Sequence, residues 1–127
     1  MSTSYPKSEP STPENPAVTQ AYKRLVSFLE GQRAKAGSGV RVFSTNRLVD
    51  VAGEVPSVSL AGILAQLVED GLLEQFLRVE TALGVGLEDF SSIEQVPDEV
   101  YDWRDSHESL RVTPANLRVY YRIHGAA

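Results

Sequence analysis

The stretch from residue 45 to residue 74 limits the fold of this chain more than any other part of the sequence. It reads TNRLVDVAGEVPSVSLAGILAQLVEDGLLE. Apolar residues recur at helical spacing on both sides of a break at residues 53–56. Gly71 suits the left-handed position that follows a helix, and from Leu73 the apolar period shortens to two. This order predicts a helix, a tight turn, a second helix and then a strand.

The segments on either side complete a small mixed fold. Asn15 is placed to cap a first helix, with Pro16 at the first helical position. A short strand is predicted over residues 40–43, and alternating apolar and polar residues predict a longer one over residues 117–124. Residues 73–83 are expected to alternate in the same way, and this strand and the C-terminal one fit the hairpin of a wing.

Residues 45–83 together with residues 117–124 resemble the winged-helix superfamily, in the broad style of bacterial MarR-like and ArsR-like regulators. The resemblance rests on apolar and glycine positions in the two helices, the turn and the start of the strand: Leu48, Ala52, Val55, Leu60, Leu64, Leu67, Gly71, Leu72 and Leu73. It implies an α+β fold, a winged helix-turn-helix with three helices and a small antiparallel β-sheet. In this superfamily the third helix commonly faces a DNA groove.

The domain organisation is expected to be simple. Residues 1–14 are rich in Ser, Thr, Pro and Glu, and they are predicted to form a disordered tail. Residues 15–127 are predicted to be one winged-helix domain, with residues 84–116 as a long insertion in the wing. The N-terminus lacks the basic and then apolar order of a secretory signal, and no apolar run approaches the roughly 20 residues of a membrane span. We therefore expect a cytoplasmic protein without a membrane partner.

The insertion combines eight acidic residues with several large apolar ones. The candidate partner-binding residues are Phe90, Ile93, Val100, Tyr101 and Trp103. Two interpretations stay open. These side chains either pack back on the sheet as a satellite core, or form an aromatic and acidic patch that anchors a protein partner.

DNA binding is the alternative function. The net charge is −5, although residues 17–53 hold six basic residues against two acidic ones. The third helix carries neither Lys nor Arg, which disfavours phosphate contact there. The candidate DNA-binding residues are Arg41, Arg47, Ser57, Ser59, Gln66, Arg118 and Arg122. For Arg118 and Arg122 the other interpretation is cross-strand pairing with acids such as Glu80.

Enzymatic chemistry has little support in the sequence. The chain has no Cys and two His, and the local group of Asp105, His107 and Glu108 has one imidazole and no recognised metal-ligand spacing. The segment LGVGLED lacks the third glycine of a dinucleotide-binding motif. We predict a non-catalytic adaptor, or a small subunit of a bacterial complex, that binds a protein partner or a second copy and uses neither cofactor nor metal.

Overall fold

The structure is a computed structural model that describes residues 15–125, so the predicted tail at residues 1–14 lies outside the described residues. The described chain has three α-helices: α1 Pro16–Ala36, α2 Thr45–Ala52 and α3 Ser57–Glu69. Its strands are β1 Val40–Ser44, β2 Glu74–Glu80, β3 Gly86–Phe90, β4 Glu99–Tyr101, β5 Ser109–Arg111 and β6 Leu117–His124. A four-stranded sheet has the order β1-β6-β2-β3, and β4 and β5 form a separate two-stranded sheet. The fold is α+β, compatible with the expected winged-helix arrangement.

Helix α1 begins at the predicted cap. The Asn15 Oδ1 atom accepts hydrogen bonds from the backbone N–H groups of Ala17 at 3.1 Å and Val18 at 3.4 Å. These contacts satisfy two of the N–H groups that a helix start leaves without a partner. One face of the helix is fully buried, at Val18, Ala21, Leu25 and Leu29. The prediction of this helix is confirmed.

Helices α2 and α3 also agree with the sequence prediction. The Ser44 Oγ atom accepts a hydrogen bond from the Arg47 N–H at 3.1 Å and so caps α2. Helix α3 buries Leu60, Ile63, Leu64 and Leu67. Gly71 follows α3 with φ at 82°, a conformation that side chains with a Cβ atom rarely adopt.

The chain divides into two compact units. The first runs to Glu74 and resumes at Arg122, and the second is Gln75–Tyr121. The three α-helices belong to the first unit, and the predicted insertion at residues 84–116 lies entirely in the second. Strands β2 and β6 each run from one unit into the other. The core of the second unit includes Phe76, Val79, Val100 and Tyr121.

Strand β2 is shorter than the strand that the sequence predicted. The sequence predicted that residues 73–83 alternate regularly, with Glu80 facing away from the apolar side. The pairing of β2 with β3 shifts register between Val79 and Glu80, and both side chains are buried. The strand ends at Glu80, so Leu83 lies in the turn with an exposed fraction of 78%. The predicted strand was therefore too long at its C-terminal end, whereas Glu80 lies on the predicted side, where its carboxylate accepts a hydrogen bond from the Tyr120 hydroxyl and lies 3.6 Å from Arg118. These cross-strand contacts account for its burial.

Candidate protein-binding surface

The β4–β5 hairpin turns one of the candidate residues inward and another outward. Val100 pairs with Leu110, and the next residue, Tyr101, pairs with Ser109. Since neighbouring side chains in a strand point to opposite faces, Val100 and Tyr101 are separated. Val100 is buried, whereas Tyr101 is 57% exposed. The hairpin therefore presents Tyr101 on its open face.

The loop that joins the two strands is organised by a single carboxylate. Asp102 accepts hydrogen bonds from the backbone N–H groups of Arg104, Asp105 and Ser106, at 3.0, 2.9 and 3.3 Å. The Ser106 hydroxyl donates a further bond to the same carboxylate at 3.2 Å. The Asp102 N–H donates to the Glu108 carbonyl at 2.8 Å and closes the loop.

The same contacts change the acidity of Asp102. The N–H of Asp105 is the largest of the causes that lower the pKa of this carboxyl below its usual value, and the N–H groups of Ser106 and Arg104 act in the same direction. Hydrogen bonds donated to a carboxylate favour its charged form, and here they outweigh the opposite effect of burial. Asp102 therefore holds the loop as an ionised group at neutral pH.

Trp103 stands out from this fixed loop. Its side chain is 51% exposed, and the guanidinium carbon of Arg104 lies 4.3 Å from the centre of its ring system. The distance is typical of a cation resting on an aromatic face. His107 has a φ of 56°, a left-handed value that is uncommon outside glycine. Tyr101 at the end of β4 and Trp103 in the loop thus flank Asp102, whose hydrogen bonds set the path of the loop.

The predicted partner-binding residues differ in their exposure. Tyr101, Trp103 and Ile93 are more than half exposed, and Phe90 is half-buried at the end of β3. Val100 is a correction, since its side chain packs inward and is not available to a partner. The burial of Val100 agrees with the satellite-core interpretation, whereas Tyr101 and Trp103 lie on the surface, and binding of a protein partner there stays a prediction.

The role of Asp102 was not predicted. An aspartate followed by polar residues, as in DWRDS, is typical of a turn in which the carboxylate accepts bonds from the following N–H groups. This signal was present in the sequence.

The second unit is rich in carboxylates. Asp89 is paired with Arg78 at 2.7 Å, and Glu99 accepts a hydrogen bond from the Ser109 hydroxyl at 2.7 Å. Five other carboxylates of the insertion make no ion pair or side-chain hydrogen bond with any residue in the range 15–125: Glu88, Glu94, Asp98, Asp105 and Glu108. These groups leave a negative surface with unused acceptors.

Two of the candidate DNA-binding arginines are engaged with carboxylates. Arg122 makes a two-pronged contact with Glu74, at 2.9 and 3.0 Å, and His124 lies 3.2 Å from the same carboxylate. Hydrogen bonding from Arg122, and then from His124, lowers the pKa of Glu74 from 4.5 to about 2. Arg118 lies 3.6 Å from Glu80. Cross-strand pairing is thus the interpretation that the structure supports for both arginines.

Three of the other DNA-binding candidates, Arg41, Arg47 and Gln66, contact neighbouring side chains. The Arg41 guanidinium donates to Gln32 at 3.3 Å, and that of Arg47 lies 5.1 Å from the Phe28 ring centre. The Gln66 amide donates to Asp70 at 3.0 Å. Ser57 is exposed and Ser59 is half-buried.

The exposed side of α3 is apolar rather than basic. Val58 has 85% of its surface exposed, and Ala61, Gly62 and Ala65 are exposed beside it. Among residues 15–125, no single helix is long and apolar enough to cross a bilayer. Helices α2 and α3 meet that test only when taken together, across a bend of 108°.

The described part of the first unit contains at least two clefts. One, of about 680 Å³, lies beside the start of α1 and the end of α2 and includes Arg24, Asp50 and Glu54. The other, of about 360 Å³, is lined by residues that include Arg33 and Glu74. Within the described residues, no three His, Cys, Asp or Glu side chains come together as a metal site.

Comparison of the chain with protein-family models, with curated proteins and with solved structures found no match.

Proposed function

We propose that this chain is a non-catalytic adaptor of the cytoplasm, built on a winged-helix scaffold, that binds another protein through its β4–β5 hairpin. One observation carries the proposal: Tyr101, at the end of β4, and Trp103, in the loop that the Asp102 carboxylate holds in place, are both more than half exposed. We call these two aromatic side chains, with the loop carboxylates of Asp105 and Glu108, the hairpin surface.

The energetics of binding support this choice of surface. Tryptophan and tyrosine are the residues most often found at the energetic centre of protein interfaces. Ordering a flexible segment reduces affinity, so a loop that is already fixed loses less on binding. The hydrogen bonds to Asp102 fix the backbone on the C-terminal side of Trp103 before any partner arrives. The indole therefore offers apolar area at a low entropic cost.

The DNA-binding alternative has weaker support. The affinity of a protein for DNA comes largely from cations that neutralise phosphates. Arg118 and Arg122 already contact carboxylates, and α3 exposes Val58 where a DNA reader commonly carries polar or basic side chains. DNA binding is therefore the competing hypothesis, which the test distinguishes from protein binding.

The test is affinity capture from a native, nuclease-treated lysate of the source cells, with the immobilised chain as bait. Wild type is compared with the double variant Tyr101→Ala/Trp103→Ala and with Leu83→Ala. Leu83 is a matched control, because it is also an exposed apolar residue of the second unit but lies in the β2–β3 turn. We expect one protein to be recovered in a stoichiometric amount with wild type and Leu83→Ala, and to be lost with the double variant.

Two results would contradict the proposal. One is undiminished capture by the double variant, which would place the interface elsewhere. The other is salt-dependent DNA binding that Arg47→Glu weakens, together with the absence of any captured protein. Circular dichroism of each variant establishes that a loss of capture is not a loss of folding.

A further inference from the structure

We infer that the hairpin surface takes an arginine-containing segment of the partner, with the guanidinium resting on the Trp103 indole and paired with the carboxylates of Asp105 and Glu108. This inference rests on the proposed function and specifies its partner.

Charge favours a cationic segment. The second unit, Gln75–Tyr121, holds nine acidic residues against four basic ones. Of the basic residues, Arg78 and Arg118 already contact Asp89 and Glu80. An acidic segment or a nucleic acid backbone would be repelled by this surface.

The loop itself supplies acceptors for a guanidinium. Asp105 and Glu108 make backbone contacts within the loop, but their carboxylates have no ion-pair partner among residues 15–125. A purely apolar segment would remove these charges from water without replacing their hydrogen bonds, which is unfavourable. A segment that brings N–H donors avoids that loss.

Arg104 shows that the indole accepts a guanidinium. Its guanidinium carbon lies 4.3 Å from the ring centre of Trp103. A planar guanidinium can stack on an aromatic ring and bind carboxylates in the same plane, whereas an ammonium cannot do both in this way. Because Arg104 is itself a cation next to the surface, it both competes for the ring and repels an incoming arginine. Its removal should therefore strengthen binding.

The probe is a set of three short peptides that contain no aromatic residue and differ only in one residue type. The first is Ala-Arg-Leu-Ala-Arg-Leu-Ala, and the others replace Arg by Lys or by Gln. Trp103 is the only tryptophan of the chain, so its fluorescence reports binding at the surface without a label. Calorimetry of the same peptides supplies a second measurement.

We expect the Arg peptide to bind best, the Lys peptide about threefold more weakly and the Gln peptide at least about tenfold more weakly. Raising the salt concentration should weaken the binding of the Arg peptide. The variant Asp105→Asn/Glu108→Gln should bind the Arg peptide several-fold more weakly, while Arg104→Ala should bind it several-fold more tightly. Glu30→Gln is the matched control, because Glu30 is an exposed carboxylate of α1 in the first unit. It should leave binding unchanged.

The inference is overturned if the Gln peptide binds as tightly as the Arg peptide, or if the Arg peptide does not bind at concentrations up to about 1 mM. It is also overturned if Arg104→Ala weakens binding. These results leave the proposed function standing whenever capture from the lysate still depends on Tyr101 and Trp103. If capture does not depend on them, the proposed function fails instead.

Discussion

Replacing Gly53 by alanine should destabilise the first unit more than the same change at Gly71. Both glycines lie just beyond a helix and have nearly equal φ values, 83° and 82°. They differ in their surroundings. A Cβ atom at Gly53 would lie 2.7 Å from the Arg24 Nη1 atom, whereas one at Gly71 would meet nothing within 4 Å.

Three contributions set the loss in the free energy of unfolding that we expect for Gly53→Ala. Its φ of 83° and ψ of −160° fall in a region that is almost restricted to glycine, which costs alanine about 1–3 kcal/mol. The new methyl group also displaces Arg24, whose guanidinium donates a hydrogen bond to the Ala52 carbonyl at 3.1 Å, for roughly 1 kcal/mol more. Alanine also restricts the unfolded chain more than glycine does, which stabilises the folded state by about 0.5 kcal/mol. The net loss in the free energy of unfolding is about 1.5–3.5 kcal/mol.

Gly71→Ala serves as the matched control. The left-handed conformation costs alanine about 1–2 kcal/mol, and the restriction of the unfolded chain again offsets about 0.5 kcal/mol. A net loss of about 1 kcal/mol is expected, because no neighbouring atom must move. The difference between the two variants, about 1–2 kcal/mol, therefore measures the contact with Arg24 and the more restricted backbone of Gly53.

Urea unfolding followed by far-ultraviolet circular dichroism is the assay, since the three α-helices of residues 15–125 lie in the first unit. In an Arg24→Ala background, Gly53→Ala should cost about 1 kcal/mol less than it does in the wild-type chain, because the displaced hydrogen bond is already absent. Equal losses for Gly53→Ala and Gly71→Ala would refute the reasoning. So would an unchanged loss in the Arg24→Ala background.

Two further predictions concern charged groups. The pKa of Glu74 is lowered from 4.5 to about 2, so its contact with Arg122 and His124 contributes stability above pH 4.5, and this contribution is lost as the pH falls toward 2. Since Glu74 is half exposed, Glu74→Gln should lower the free energy of unfolding by only about 1 kcal/mol at pH 7. In urea unfolding, this difference between the variant and wild type should vanish near pH 2. Asp102→Ala should release the loop, so acrylamide should quench Trp103 fluorescence more strongly than in wild type; an unchanged quenching constant would mean that the carboxylate does not order the loop.

Part of the candidate site could be predicted from the sequence. Tyr101 and Trp103 were predicted as partner-binding candidates because large aromatic side chains among acids are unusual in a solvated loop, and the structure places both on the surface. Val100 could not be separated from them, because strand alternation gives opposite faces but does not say which face is covered. The structure shows that the covered face of the β4–β5 hairpin is the one that carries Val100, while Tyr101 lies on the open face.

The helices could be predicted from the sequence, because their ends depend on contacts between residues a few positions apart. Asn15 and Ser44 cap the helices that they precede, and Gly71 follows α3 with a positive φ. The tertiary structure was needed to show that Tyr120 and Arg118 cover Glu80, and that Arg122 pairs with Glu74. These features depend on the register between strands that are distant in the chain, and local preferences of the backbone do not set that register.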